Sequence, residues 1–167
     1  MKISKLLSPE LIKTELETQI SDDILEIIKS DLRVERIKEL LIREFVDVLN
    51  LSGKVQSENK LYLDLLNRER KASTAIGEGI AIPHVRTMHV REFLMGFAKS
   101  TSGYEYDSPD GGKTNLFFIM VSPGYDDNLY LKVYRELVSL LRFEELRNKL
   151  RSASSVQEII GAIQKWE

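Results

Sequence analysis

Apolar residues recur at spacings of three and four between Val34 and Leu49, through Ile37, Leu40, Leu41, Phe45 and Val48. That period predicts an amphipathic helix with one buried stripe, closed by Ser52-Gly53. Ser57 caps a second predicted helix running through Leu66, with Leu61, Leu65 and Leu66 facing inward. Asn67 to Lys71 carries that helix, or its end, toward a glycine turn. Upstream the pattern is shorter. Ser8-Pro9-Glu10 reads as a helix or turn start, because serine caps and proline suits the first helical position. Ile12, Thr14 and Leu16 alternate with Lys13, Glu15 and Glu17, which predicts a first strand. Ser21-Asp22-Asp23 opens a short helix over Ile24 to Ser30.

Downstream of the turn, Phe93 to Ser100 is a predicted strand, and Ser108-Pro109-Asp110-Gly111-Gly112 is a turn signal. Leu116 to Val121 is entirely apolar, as expected of a strand covered on both faces. Asp126 and Asp127 stand where the next helix should start and suit its positive end. Leu129, Leu131, Val133, Leu137, Leu140 and Leu141 supply its buried side, and Glu144 to Leu150 continues helical. Ser154 or Ser155 caps a last helix, with Glu158 near the capping-box position and Val156, Ile159, Ile160 and Ile163 inward. The order of strand, helices, several strands, then helices predicts a three-layer α/β/α sandwich around a mixed β-sheet. Residues 1–167 are expected to form one domain.

The stretch Ser73-Thr74-Ala75-Ile76-Gly77-Glu78-Gly79-Ile80-Ala81-Ile82-Pro83-His84 draws the elements together. Two glycines make a turn, and Ile80-Ala81-Ile82 is a short strand. Pro83 has no N–H to donate and is expected to stop it. His84 then stands at the carboxyl end of a strand, where ligands and chemistry gather in α/β sheets. Val85 to Arg91 reads as a loop.

Composition narrows the chemistry. The 167 residues carry a net charge of −2, so bulk charge does not point to nucleic acid. The absence of cysteine excludes disulfides and thiolate chemistry in this chain. No signal-length apolar segment or membrane-spanning run is present, so a cytoplasmic protein without membrane insertion is expected.

Each candidate residue has a plain structural alternative. Gly77-Glu78-Gly79 lacks the third glycine and following helix of a dinucleotide site, so a tight turn is preferred. His84 is a potential nucleophile, although a lone histidine is more often structural. His89, five residues on, has the spacing of neither a helical nor a strand metal pair, and no metal or other cofactor is expected. Arg68 and Arg70 are cations for a phosphoryl group or simply a charged helix face. Ser73 and Thr74 are turn or cap residues, or hydroxyl donors near His84. Arg142, Arg147, Lys149 and Arg151, interleaved with Glu144 and Glu145, read as a solvated face.

Together, Arg68-Glu69, Ser73-Thr74, the run from Ile76 to His84, Ser108-Pro109-Asp110-Gly111 and the apolar strand ending near Pro123 resemble one family. It is the enzyme IIA domain of the fructose/mannitol type, from the bacterial phosphoenolpyruvate-dependent sugar phosphotransferase system. The nitrogen-regulatory enzyme IIA proteins are a branch of it. The resemblance implies that His84 accepts a phosphoryl group from an HPr-like carrier and passes it to a cysteine of an enzyme IIB partner on a separate chain. Arg68 would neutralise the group in transit, with Ser73, Thr74 and Asn128 as phosphate-binding residues. The resemblance leaves open a signalling phosphoprotein with a regulatory target, or a protein-binding module that is not phosphorylated. Two substitutions depart from the family pattern. Asn128 stands where members usually carry a second histidine, and Val85 follows the active histidine where a small residue is usual. The span Thr18 to Arg33 is also longer than the usual connection.

Overall fold

The computed structural model describes residues 1–125 and 127–167, the side chain of Asp127 excepted. The expected helix cap at Asp126-Asp127 lies outside the described residues. The chain begins with α1 (Ile3–Leu6) and β1 (Leu7–Lys13), then α2 (Asp22–Leu25), α3 (Ser30–Asn50) and α4 (Glu58–Lys71). Five strands follow: β2 (Ala75–Gly77), β3 (Ile80–Ala81), β4 (His84–Thr87), β5 (Leu94–Tyr104) and β6 (Thr114–Pro123). Three helices close it: α5 (Asp127–Leu140), α6 (Glu144–Ser152) and α7 (Val156–Trp166).

The mixed sheet runs β1-β5-β6-β3-β2, with β4 also paired to β6. β5 and β6 form its antiparallel centre, from Leu94 opposite Val121 to Tyr104 opposite Thr114. β6 alternates strictly between two cores. Phe117, Ile119 and Val121 pack with Leu41, Phe45 and Leu65 of α3 and α4. Leu116, Phe118 and Met120 pack with Val133, Leu137 and Ile159 of α5 and α7. A strand covered on both faces needs apolar residues at every position, which is why this segment carries no alternation. The three-layer α/β/α arrangement is therefore as the sequence predicts.

Several boundaries differ. Ser8-Pro9-Glu10 does not start a helix; it lies inside β1, which spans residues 7–13 rather than continuing through Leu16. β1 is an edge strand whose register with β5 shifts between Leu7 and Ile12, and a proline is tolerated at such a site because no ladder bond is lost there. The helix predicted over Ile24 to Ser30 reduces to one turn, and α3 starts four residues before Val34.

The difference that matters most follows Pro83. The chain does not leave the sheet there. Ile80 and Ala81 pair with Leu116 and Phe117 of β6, and His84 to Thr87 pair with Met120 to Pro123 along the same edge. Pro83 interrupts the ladder by lacking a donor, yet its carbonyl still accepts from the Met120 N–H at 2.9 Å. The strand thus resumes in register, and His84 opens β4 instead of entering a loop.

The glycine turn is a two-residue hairpin between β2 and β3. Glu78 and Gly79 hold φ of 56° and 75°, the left-handed pair that matches the twist of the flanking strands. Asp110 clamps it by accepting from the Glu78 N–H at 2.9 Å, and these bonds with Ser108 and Gly112 pull its carboxyl down to about 2. At Gly79 an added Cβ would stand 2.7 Å from Asn115 Oδ1, so glycine is needed for space as well as for φ. Near the C-terminus, Ser155 Oγ accepts from the Glu158 N–H while the Glu158 carboxylate accepts from the Ser154 N–H, a capping-box arrangement shifted by one residue.

Candidate functional site

His84 owes its position to β6, which holds the backbone of β4, and to the last turn of α4, which packs beside it. Its Nδ1 lies 2.6 Å from the Ile82 carbonyl oxygen. A carbonyl can only accept, so the neutral ring carries its proton on Nδ1 and presents the lone pair of Nε2. Nη2 of Arg68 stands 3.5 Å from that Nε2. The ring is half-buried. Burial lowers its pKa below the ordinary 6.5 more than any other influence. The hydrogen bond to Ile82 and the charge of Glu69 oppose that shift, while Arg68 reinforces it. The imidazole is therefore neutral and nucleophilic at pH 7.

Arg68 lies in the last turn of α4, where three basic residues, Arg68, Arg70 and Lys71, face the negative end of the helix dipole. Nη1 donates to the carbonyl of Ala72 at 2.8 Å, the residue that closes the helix. One side of the fork is thus spent on the helix end and the other is directed at His84. Arg70 points elsewhere, to Glu35 at 3.0 Å and Glu39 at 3.4 Å.

The other wall comes from α5. The rings of Tyr130 and Tyr134, one helical turn apart, lie 5.5 and 5.3 Å from the imidazole centroid. The guanidinium of Arg86 stands 5.6 Å from the Tyr130 ring centroid. Sequence reasoning missed both tyrosines. Their spacing of four, continuous with Leu137 and Leu141 on the buried stripe, was the available signal.

The remaining predicted residues are placed differently. Ser73 Oγ donates to the Tyr106 carbonyl at 3.1 Å and accepts from the Ala75 N–H at 3.2 Å. Thr74 is buried, and its Oγ1 donates to Glu69 at 2.6 Å. The Ser73 hydroxyl thus ties the loop after α4 to the loop 105–113, and that of Thr74 ties it back to α4. Asn128 is exposed in the first turn of α5. The structure therefore brings Arg68 to His84, while the hydroxyls of Ser73 and Thr74 engage other groups of this chain. His89, past the end of β4, lies 3.8 Å from Asp64. No group of three or more metal-ligating side chains occurs among the described residues. A cavity of about 610 Å³ opens between α3, α4 and the loop 105–113; Lys38 and Glu69 line it and His84 does not.

A half-buried imidazole thus opens β4 with its Nε2 beside a guanidinium. The chain belongs to the family described as "Phosphoenolpyruvate-dependent sugar phosphotransferase system, EIIA 2", whose model matches residues 25–166. It is 34% identical over its full length to the fructose-specific EIIABC component of Bacillus subtilis, of which it spans 24%. It is 32% identical over 122 residues to the fructose-specific EIIA component of Haloferax volcanii, covering 73% of this chain and 79% of that one. The crystal structure of nitrogen regulatory protein IIA-Ntr from Neisseria meningitidis shares the fold, with a TM-score of 0.80 at 24% identity over 96% of this chain and 98% of that one. Among the described residues no helix is long and apolar enough to cross a membrane.

Proposed function

We propose that the chain is a phosphohistidine carrier and that Nε2 of His84 is the acceptor atom. The observation that carries this is the Nδ1 contact with the Ile82 carbonyl, which leaves Nε2 unprotonated beside Arg68. In the forward step Nε2 attacks phosphorus in line with the departing nitrogen of an HPr-like phosphohistidine. The donor's N–P bond breaks, the Nε2–P bond forms, and the donor imidazole leaves with the electron pair of the broken bond. No proton moves on His84. Its ring becomes a phosphoimidazolium whose Nδ1–H still points at a carbonyl dipole, which favours the positive charge. The Arg68 guanidinium offsets charge on the equatorial oxygens. In the second step a thiolate of an enzyme IIB partner takes the group and His84 returns neutral.

The name of the Bacillus subtilis relative joins A, B and C components, which supports an enzyme IIB acceptor for this chain. In this reading Ser73 and Thr74 serve by fixing the loop beside Arg68. Asn128, exposed at the start of α5, offers an amide to a phosphoryl group presented by a docked partner. An amide donates but takes up no proton, so Asn128 supports binding rather than proton transfer.

The test is incubation of the purified chain with phosphoenolpyruvate, enzyme I and HPr, followed by intact mass and acid lability. An acid-labile phosphate absent from His84→Ala is expected. A folded wild-type sample that takes no phosphate sinks the reading. Adding an enzyme IIB separates transport from signalling. Rapid loss of the label to its cysteine marks a transport carrier, and a label retained until a regulatory target binds marks the signalling branch.

A further inference from the structure

Glu69 follows Arg68 in α4, yet its side chain is only 2% exposed. Its carboxylate accepts three hydrogen bonds, from Lys38 Nζ at 2.8 Å, the Thr74 N–H at 2.9 Å and Thr74 Oγ1 at 2.6 Å. Lys38 is itself buried, lies 4.6 Å from the Tyr106 ring centroid and also reaches Ser73 Oγ at 3.3 Å. A buried ion pair has a large desolvation cost and is weak evidence for a purely stabilising role. This one holds a particular piece of backbone. The Thr74 carbonyl accepts from the Ile82 N–H at 3.0 Å, and the Ile82 carbonyl accepts from Nδ1 of His84. The same loop carries the Ala72 carbonyl that directs Arg68.

We infer that Glu69, locked by Lys38, is a positioning residue for the transfer: it pins residues 72–74, and through them sets both the proton position on His84 and the aim of Arg68. The inference deepens the carrier reading and rests on it for its functional consequence. Glu69 does not touch the phosphoryl group. It acts through Thr74 and Ile82 on one side and through Ala72 on the other, so a single carboxylate orients the nucleophile and its cation together.

The experiment compares Glu69→Gln, Thr74→Val and Thr74→Ser with wild type. Nitrogen-15 NMR reads the two ring nitrogens of His84 in unphosphorylated protein, and rapid quench reads acceptance from phospho-HPr. Wild type should be mainly the Nδ1–H form. Glu69→Gln should mix the two tautomers and slow acceptance by up to about 10²-fold, the cost of small misplacements of reacting groups. Thr74→Val keeps the bulk and the backbone N–H, so it should fold even if Glu69→Gln does not, and should shift the tautomers in the same direction. Thr74→Ser should restore the wild-type ratio. Unchanged tautomers in folded Glu69→Gln or Thr74→Val overturn the inference, as does a slower rate with unchanged tautomers. Because the NMR arm needs no donor, failure of wild type to accept phosphate would count against the carrier reading alone.

Discussion

His84 stands between two walls built on different principles. The wall from α4 and residues 72–74 is polar and fully cross-bonded, with Glu69, Lys38, Thr74 and Arg68 each holding stated partners. The wall from α5 is two tyrosine rings, one tilted and one T-shaped to the imidazole. The polar wall fixes where the proton and the nearby positive charge sit. The aromatic wall packs against the ring, and burial of the ring is the first cause of the lowered pKa. A nucleophilic histidine needs both. Orientation without desolvation leaves a larger protonated fraction, and desolvation without orientation leaves the wrong nitrogen free.

Breaking the polar wall at its charged tip should have the largest effect. Arg68→Ala removes the cation 3.5 Å from Nε2 and should slow acceptance by about 10²–10³-fold, measured by rapid quench with phospho-HPr. Opening the aromatic wall should cost less. Tyr130→Ala with Tyr134→Ala should slow acceptance by about tenfold, within the range of orientation effects. The same change should raise the pKa of His84 back toward 6.5, followed by its ring proton shifts.

The pH dependence sharpens the contrast further. Nε2 attacks only when unprotonated, and the folded pKa lies below 6.5, so acceptance should stay level above that value. It should fall only as pH drops through the lowered pKa. In the double alanine variant the fall should begin at higher pH. The smallest effect on rate belongs to a change outside both walls. Gly79→Ala places a methyl against Asn115 and Arg151 at positive φ and should destabilise the fold by about 1–3 kcal/mol in urea titration. The folded fraction should accept phosphate at close to the wild-type rate.

The polar and aromatic walls also differ in how far the sequence exposes them. The long elements were legible because periodicity is local: α3, α4, the apolar β6 and the capped α7 fall close to where the pattern puts them. The pairing of Arg68 with His84, sixteen residues apart, followed from the family resemblance, and the 3.5 Å approach agrees with it. The Lys38–Glu69 pair was hidden by its separation of 31 residues. Its trace is that Lys38 sits at i to Leu41, Ile42 and Phe45 at i+3, i+4 and i+7, and Glu69 follows Leu65 by four. A charge on each of two buried stripes demands a partner. β4 was misread as a loop because proline removes a donor without removing an acceptor, and the strand's continuation depends on β6, some 35 residues away. Ser73 and Thr74 matched the family pattern, but residue type does not say whether a hydroxyl faces a ligand or its own loop.

The proposed transfer turns on Nε2 of His84 being the acceptor. That is tested most directly by phosphorylating nitrogen-15-labelled protein from phosphoenolpyruvate through enzyme I and HPr and reading the phosphorus–nitrogen couplings of His84. Phosphorus bonded to Nε2 is expected, with Nδ1 still protonated and still hydrogen-bonded to Ile82. Phosphorus on Nδ1, or on any residue other than His84, would contradict it.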